Sequence, residues 1–175
     1  MKIQHLGLPA ILALTTMLPA AAGADDWNGR WLPQGTLAAR VREATKLYTD
    51  PSYAMQMGYQ PGPCVSGPSG GAMGVHFVNV ALLDDAPPDV DNPEVLIYEP
   101  LHGGGYRLVG AEYITFAPPP AVLEGHLLNY APSPNRYGIP APSLQLHVWA
   151  WKANPNGTFA DWNPRVFCDA YVAPL

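Results

Sequence analysis

Three ionisable side chains stand in runs of the sequence that are otherwise apolar or aromatic. His76 shares its side of a short extended run with Val78, and His147 shares its side of another run with Trp149. Glu112 lies in the middle of the run 106–116, on the more apolar of its two alternating faces. Because an isolated buried carboxylate is costly, Glu112 must be paired, bind a metal or take up a proton.

Two histidines and one carboxylate form a recognisable ligand set. If His76, Glu112 and His147 converge on one face of a sheet, they can bind zinc, iron or manganese with coordination positions left open. Glu99, at the end of another extended run, is a fourth candidate ligand, although its position there fits an exposed side chain equally well. The predicted cofactor is therefore a divalent metal ion. The spacing of these residues is not diagnostic, so their convergence is a hypothesis.

Other functions use the same part of the sequence. A His–Glu pair without metal can perform general acid–base catalysis in an apolar pocket. Trp149, Trp151 and Tyr113 can instead form a surface for a carbohydrate or another small ligand, which would make the chain a non-catalytic binding module. A structural role in a cell envelope is the third alternative. Whether the chain is an enzyme stays open at this point.

Two short helices are predicted before any of these residues. Thr36 is a suitable N-cap, and apolar residues recur at helical spacing from Leu37 until the helix ends near residue 48. Asp50 followed by Pro51 is a second start signal, with Gly58 as the stop.

The rest of the chain reads as short strands separated by turns. The predicted strands are 73–82, 94–99, 106–116, 143–151 and 165–172, with a weaker sixth at 122–130. The glycine-rich segment 100–105 predicts a hairpin between the second and third. The expected fold is α+β, with two short N-terminal helices packed on a curved antiparallel sheet or partly closed barrel of five to six strands.

The N-terminus reads as a targeting segment. A basic Lys2, an apolar run over 6–18 and small residues at 22–24 predict a signal peptide over 1–24, followed by a single globular domain over 25–175. No later run reaches the roughly 18 apolar residues of a membrane helix, so no membrane span is predicted. The expected location is secreted or periplasmic.

The chain has two cysteines, Cys64 and Cys168. Export to an oxidising compartment favours a disulfide between them. A redox or metal role for the thiols would need a C-x-x-C pair or nearby partners, which the sequence lacks.

Composition limits the partners. Among 175 residues there are 21 Pro and 17 Gly, which indicates a globule rich in loops. Nine basic residues face fourteen acidic ones without any basic cluster, and this excludes nucleic-acid binding as an expected function. A small molecule is the expected partner, and the oligomeric state is left open.

Several segments resemble a group of small exported bacterial proteins to which no activity is assigned. The resemblance lies in 71–79, 93–100, 107–113 and 146–149 together with 159–164. It implies export and a single domain, but no reaction or substrate. A cupin would also place His and Glu ligands on strands, but Val78 stands where a second histidine is expected, which counts against a cupin site.

Overall fold

The computed structural model describes residues 36–67, 70–132, 139 and 142–173. Within these residues, two α-helices precede the strands: α1, Leu37–Ala44, and α2, Pro51–Gln56. A 3-10 turn, Lys46–Thr49, joins them. The predicted signal peptide at 1–24 lies outside the described residues.

Both helices begin where the sequence places their caps. The Thr36 hydroxyl accepts a hydrogen bond from the Ala39 amide at 3.2 Å, and the Asp50 carboxylate accepts one from the Ser52 amide at 2.8 Å. Each cap satisfies a backbone donor that the first helical turn leaves unpaired. The existence and starts of both predicted helices are confirmed, but α1 ends at Ala44 rather than near residue 48.

The main sheet has six antiparallel strands and curls into a half-barrel. The strands of the chain are β1, Gln60–Ser66; β2, Ala72–Val78; β3, Val95–Pro100; β4, Tyr106–Thr115; β5, Val122–Leu123; β6, His126–Leu127; β7, Asn129–Ala131; and β8, Ser143–Val148. The main sheet has the order β1-β2-β3-β4-β8-β7, while β5 and β6 form a separate two-stranded sheet. The α+β class and the β3–β4 hairpin are confirmed.

Several parts of the strand prediction were wrong. The predicted strand 73–82 ends at Val78, and 143–151 ends at Val148. The segment 60–66 forms β1, which is not among the predicted strands. Its prolines and glycine are tolerated because a bulged edge strand needs fewer ladder donors. The segment 165–172 is not a strand. It follows a turn at Asn163, and Val166 packs against the sheet as part of an irregular segment.

The two faces of the sheet have different covers. One face packs against the helices, with Val41 of α1 and Ala54 of α2 in its cores. The other face is covered in part by the C-terminal segment, where Val166 packs with Trp149 and Ile97. Side chains alternate between the faces along each strand. His76, Glu112 and His147 lie on the second face.

A β-bulge between β3 and β4 changes this alternation. The register shifts between Ile97, opposite Gly110, and Tyr98, opposite Leu108. Leu108 therefore packs in the helix-side core, whereas Glu112 lies on the other face. A strict alternation along 106–116 had placed both residues on one face, and the bulge corrects that expectation.

A disulfide joins Cys64 in β1 to Cys168 in the C-terminal segment, as predicted, with 104 residues between them in sequence. It fixes the irregular C-terminal segment to the edge of the sheet. None of the described helices has both the length and the apolar character needed to cross a bilayer.

Candidate metal centre

Strand register brings the three predicted ligands together. Glu112 in β4 lies directly opposite His147 in β8. His76 in β2 lies opposite Ile97 in β3, which in turn lies opposite Gly110, two residues before Glu112 on the same face of β4. Gly110 also lets β4 approach β8, because a Cβ there would stand 2.7 Å from the Val148 carbonyl oxygen.

The cluster of His76, Glu112 and His147 is buried. His76 and Glu112 have no exposed side-chain surface, and the His147 side chain is 2% exposed. The Glu112 carboxylate lies between the two imidazoles, with Oε2 3.7 Å from His76 Nε2 and Oε1 3.7 Å from His147 Nδ1. One ligand atom from each residue lies within 4.8 Å of the other two.

These separations match a metal site better than a hydrogen-bonded triad. A hydrogen bond between nitrogen and oxygen spans about 2.7–3.2 Å, and both carboxylate–imidazole distances are longer. Ligand atoms about 2.0–2.2 Å from a four-coordinate metal stand about 3.4 Å apart. The observed 3.7 Å distances lie close to that value.

The pKa values of the two imidazoles shift in opposite directions. Burial holds the pKa of His76 well below its usual range, and the neighbouring His147 lowers it further. Burial also lowers the pKa of His147, but the charges of Glu112 and Asp161 outweigh it and leave that pKa raised. His76 is thus neutral at pH 7, which is the form of imidazole that binds a metal.

A fourth ionisable group reaches the cluster, and the sequence analysis did not identify it. Asp161 Oδ1 lies 3.5 Å from His147 Nδ1, and the Asp161 side chain is 56% exposed. Asp161 belongs to an irregular segment after β8. No hydrophobic alternation marks such a position, so only its neighbours Asn163 and Pro164, which indicate a turn, distinguish it in the sequence.

Glu99 lies in a different environment. Both of its carboxylate oxygens accept hydrogen bonds at 2.7 Å from Nζ of the buried Lys152. Its Oε1 also accepts one from the Phe167 amide at 3.2 Å. The ligand set of His76, Glu112 and His147 does not include it. Instead, Glu99 and Lys152 line a cavity of about 230 Å³ together with Arg107 and others.

The three aromatic residues predicted to share a ligand surface are not brought together. Tyr113 is buried in the helix-side core, where its hydroxyl donates to the Val90 carbonyl at 2.9 Å. Trp151 packs toward the same side, and its Nε1 donates to the Thr45 hydroxyl at 2.8 Å. Trp149 is buried on the opposite face, with its ring stacked against that of His147 at 6.3 Å between centroids.

Comparison of the chain with protein-family models, with curated proteins and with solved structures found no match.

Proposed function

We propose that the chain is an exported protein that binds one divalent metal ion, Zn²⁺, Fe²⁺ or Mn²⁺, through His76, Glu112 and His147. The observation that carries this proposal is the buried carboxylate held 3.7 Å from two imidazole nitrogens. Neutral imidazole and carboxylate are ligands for these metals. The Cys64–Cys168 disulfide supports an oxidising compartment.

Burial favours a structural role for this metal. A catalytic metal keeps a position open to substrate, whereas a structural metal is enclosed by protein ligands. The three side chains are at most 2% exposed, so a substrate has no direct access to them in this conformation. We therefore assign the metal to stabilising the packing of β2, β4 and β8 rather than to activating water.

Direct metal analysis tests the proposal. The protein is purified without a polyhistidine tag, stripped with chelator, and titrated with Zn²⁺, Mn²⁺ and Fe²⁺ by calorimetry, with Fe²⁺ kept under anaerobic conditions. We expect one saturable site per chain for at least one of these ions. Elemental analysis after gel filtration then gives the metal content of the protein as isolated and after loading.

Substitutions locate the site. His76→Ala and Glu112→Gln each remove one ligand, so saturable binding is lost or weakened at least a hundredfold. His102→Ala is the matched control, because it removes an exposed imidazole at the tip of the β3–β4 hairpin and leaves binding unchanged. Circular dichroism checks that each variant is folded. The proposal fails if the wild-type protein binds no ion, or if His76→Ala binds as tightly as His102→Ala.

A further inference from the structure

We propose that Asp161 supplies the fourth ligand of this metal site and is the group through which the ion enters and leaves. This inference rests on the proposed function of His76, Glu112 and His147. It adds a residue from outside the sheet and makes the centre a closed site of two imidazoles and two carboxylates, rather than a three-ligand site with an open position.

Distance supports the assignment. Asp161 Oδ1 lies 3.5 Å from His147 Nδ1, and that same nitrogen lies 3.7 Å from Glu112 Oε1. Both separations are close to the roughly 3.4 Å between ligand atoms of a tetrahedral metal. His147 Nδ1 thus stands between two carboxylates. Asp161 is outside the group whose ligand atoms all lie within 4.8 Å of one another, so its carboxylate has to move toward the cluster to bind the same ion.

The net charge of the metal-loaded site gives an independent reason for Asp161 to be a ligand. Two neutral imidazoles and the Glu112 carboxylate leave a bound divalent ion with one uncompensated positive charge. A net charge in a buried site is costly, because burial removes the water that would solvate it. The Asp161 carboxylate reduces the net charge of the loaded site to zero. A second carboxylate is therefore the ligand that this buried site requires.

The backbone on either side of Asp161 is held in place. The Ala160 carbonyl accepts a hydrogen bond at 2.6 Å from Nε1 of Trp149, the same indole that stacks on His147. On the other side, Asn163 exchanges two backbone hydrogen bonds with Ala72 at the start of β2, at 3.1 and 3.2 Å. Asp161 is therefore positioned over the cluster by contacts to the strand of His76 and to the aromatic neighbour of His147.

A close backbone approach reinforces this position. Gly71 has a φ of +85°, and a Cβ at that residue would stand 2.1 Å from the Asn163 carbonyl oxygen. A side chain at this position would push the segment away from the sheet, so glycine is required for the contact.

The exposure of Asp161 defines the route of the ion into the site. Asp161 is 56% exposed, whereas His76, Glu112 and His147 are buried. Among these four residues, it alone can meet a hydrated ion at the surface and still contact the buried imidazole. Loss of its carboxylate should leave a three-ligand site that binds more weakly and exchanges its metal faster.

Cobalt tests the assignment because Co²⁺ takes ligands similar to those of Zn²⁺ and its visible d–d absorption reports its coordination. The chelator-stripped, untagged protein is titrated with Co²⁺ as wild type, as Asp161→Asn and as Asp85→Asn. The last variant is the matched control, since it removes an exposed carboxylate from the acidic loop before β3. Release of Co²⁺ into excess EDTA is then followed by stopped flow.

We expect the wild type and Asp85→Asn to share one d–d spectrum and one release rate. Asp161→Asn should still bind Co²⁺, with an altered spectrum and release at least tenfold faster. If Asp161→Asn keeps the wild-type spectrum and release rate, Asp161 is not a ligand, and the three-residue site of the proposed function stands without it. If the wild type binds no Co²⁺, Zn²⁺, Mn²⁺ or Fe²⁺, the proposed function and this inference both fail.

Discussion

Two carboxylates are buried in neighbouring strands, Glu99 near the end of β3 and Glu112 in the middle of β4, and their surroundings differ. Glu99 meets the ammonium group of Lys152 at 2.7 Å through both oxygens and also accepts from the Phe167 amide. Glu112 meets two imidazoles at 3.7 Å. The carboxylate of Glu99 is thus satisfied by the protein itself, while that of Glu112 is held at distances that suit a bound ion.

The comparison shows that a buried ionisable residue is not by itself evidence of a functional site. Glu99 was a candidate ligand beside Glu112, although its place at a strand end fitted an exposed side chain equally well. Glu99 and Glu112 differ in the groups that they contact. The carboxylate of Glu99 makes short hydrogen bonds that the fold explains, whereas Glu112 faces two imidazoles at 3.7 Å, a separation that ligands of one shared ion would have.

The largest expected effect comes from breaking the Glu99–Lys152 pair. Lys152→Met leaves Glu99 buried without its cation, which should lower the free energy of unfolding by about 3–5 kcal/mol. Urea denaturation measures this change. In the double variant Glu99→Gln and Lys152→Met, the amide oxygen still accepts from Phe167 and no charge is buried, so most of the stability should return. A single variant within about 1 kcal/mol of wild type would contradict the assignment of this pair as a structural element.

Metal addition should distinguish the cluster around Glu112 from the Glu99–Lys152 pair. An ion at a hundred times its dissociation constant stabilises a protein that binds it only when folded by about 2.7 kcal/mol. We expect this gain in the wild type and in the double variant of Glu99 and Lys152, because that pair lies outside the ligand set. Glu112→Gln should lose it. Chemical denaturation with and without Zn²⁺ measures the gain, and an equal gain in Glu112→Gln would place the metal elsewhere.

How far the sequence reveals such a site depends on the element that carries each residue. Strand alternation identified His76 and His147 as inward-facing, and turn signals located the β3–β4 hairpin. Alternation failed at the bulge near Leu108, where one extra residue in β4 moves the side chains before it to the other face. It also failed for Trp151, because β8 ends at Val148 and the chain beyond it is no longer a strand.

Convergence itself could not be predicted from the sequence. It depends on the register between β4 and β8, which places Glu112 opposite His147, and on the strand order that puts β2 two positions from β4. Both are set by long-range pairing. Asp161 was missed for a related reason: its place beside His147 is fixed by tertiary hydrogen bonds of the flanking residues, and local sequence carries no signal for them.

A third buried carboxylate extends the comparison between Glu99 and Glu112. Glu94, just before β3, accepts a hydrogen bond from the Ile114 amide at 2.9 Å. Burial raises its pKa to about 7, and the charges of Asp84 and Glu112 act in the same direction. Glu94 therefore represents a carboxylate held by a backbone donor, in contrast to the ammonium beside Glu99 and the two imidazoles beside Glu112.

The raised pKa of Glu94 fixes the direction in which the free energy of unfolding changes with pH. Between its ordinary value of 4.5 and about 7, the folded protein binds a proton at Glu94 that the unfolded chain has already lost. The contribution of Glu94 to the free energy of unfolding is therefore full at low pH and decreases as the pH rises through this window, by about 3 kcal/mol. Urea denaturation of chelator-treated protein from pH 4.5 to 8 measures the slope. Glu94→Gln, which cannot ionise, should remove this part of the slope, and an unchanged slope in that variant would show that Glu94 ionises normally in the folded protein.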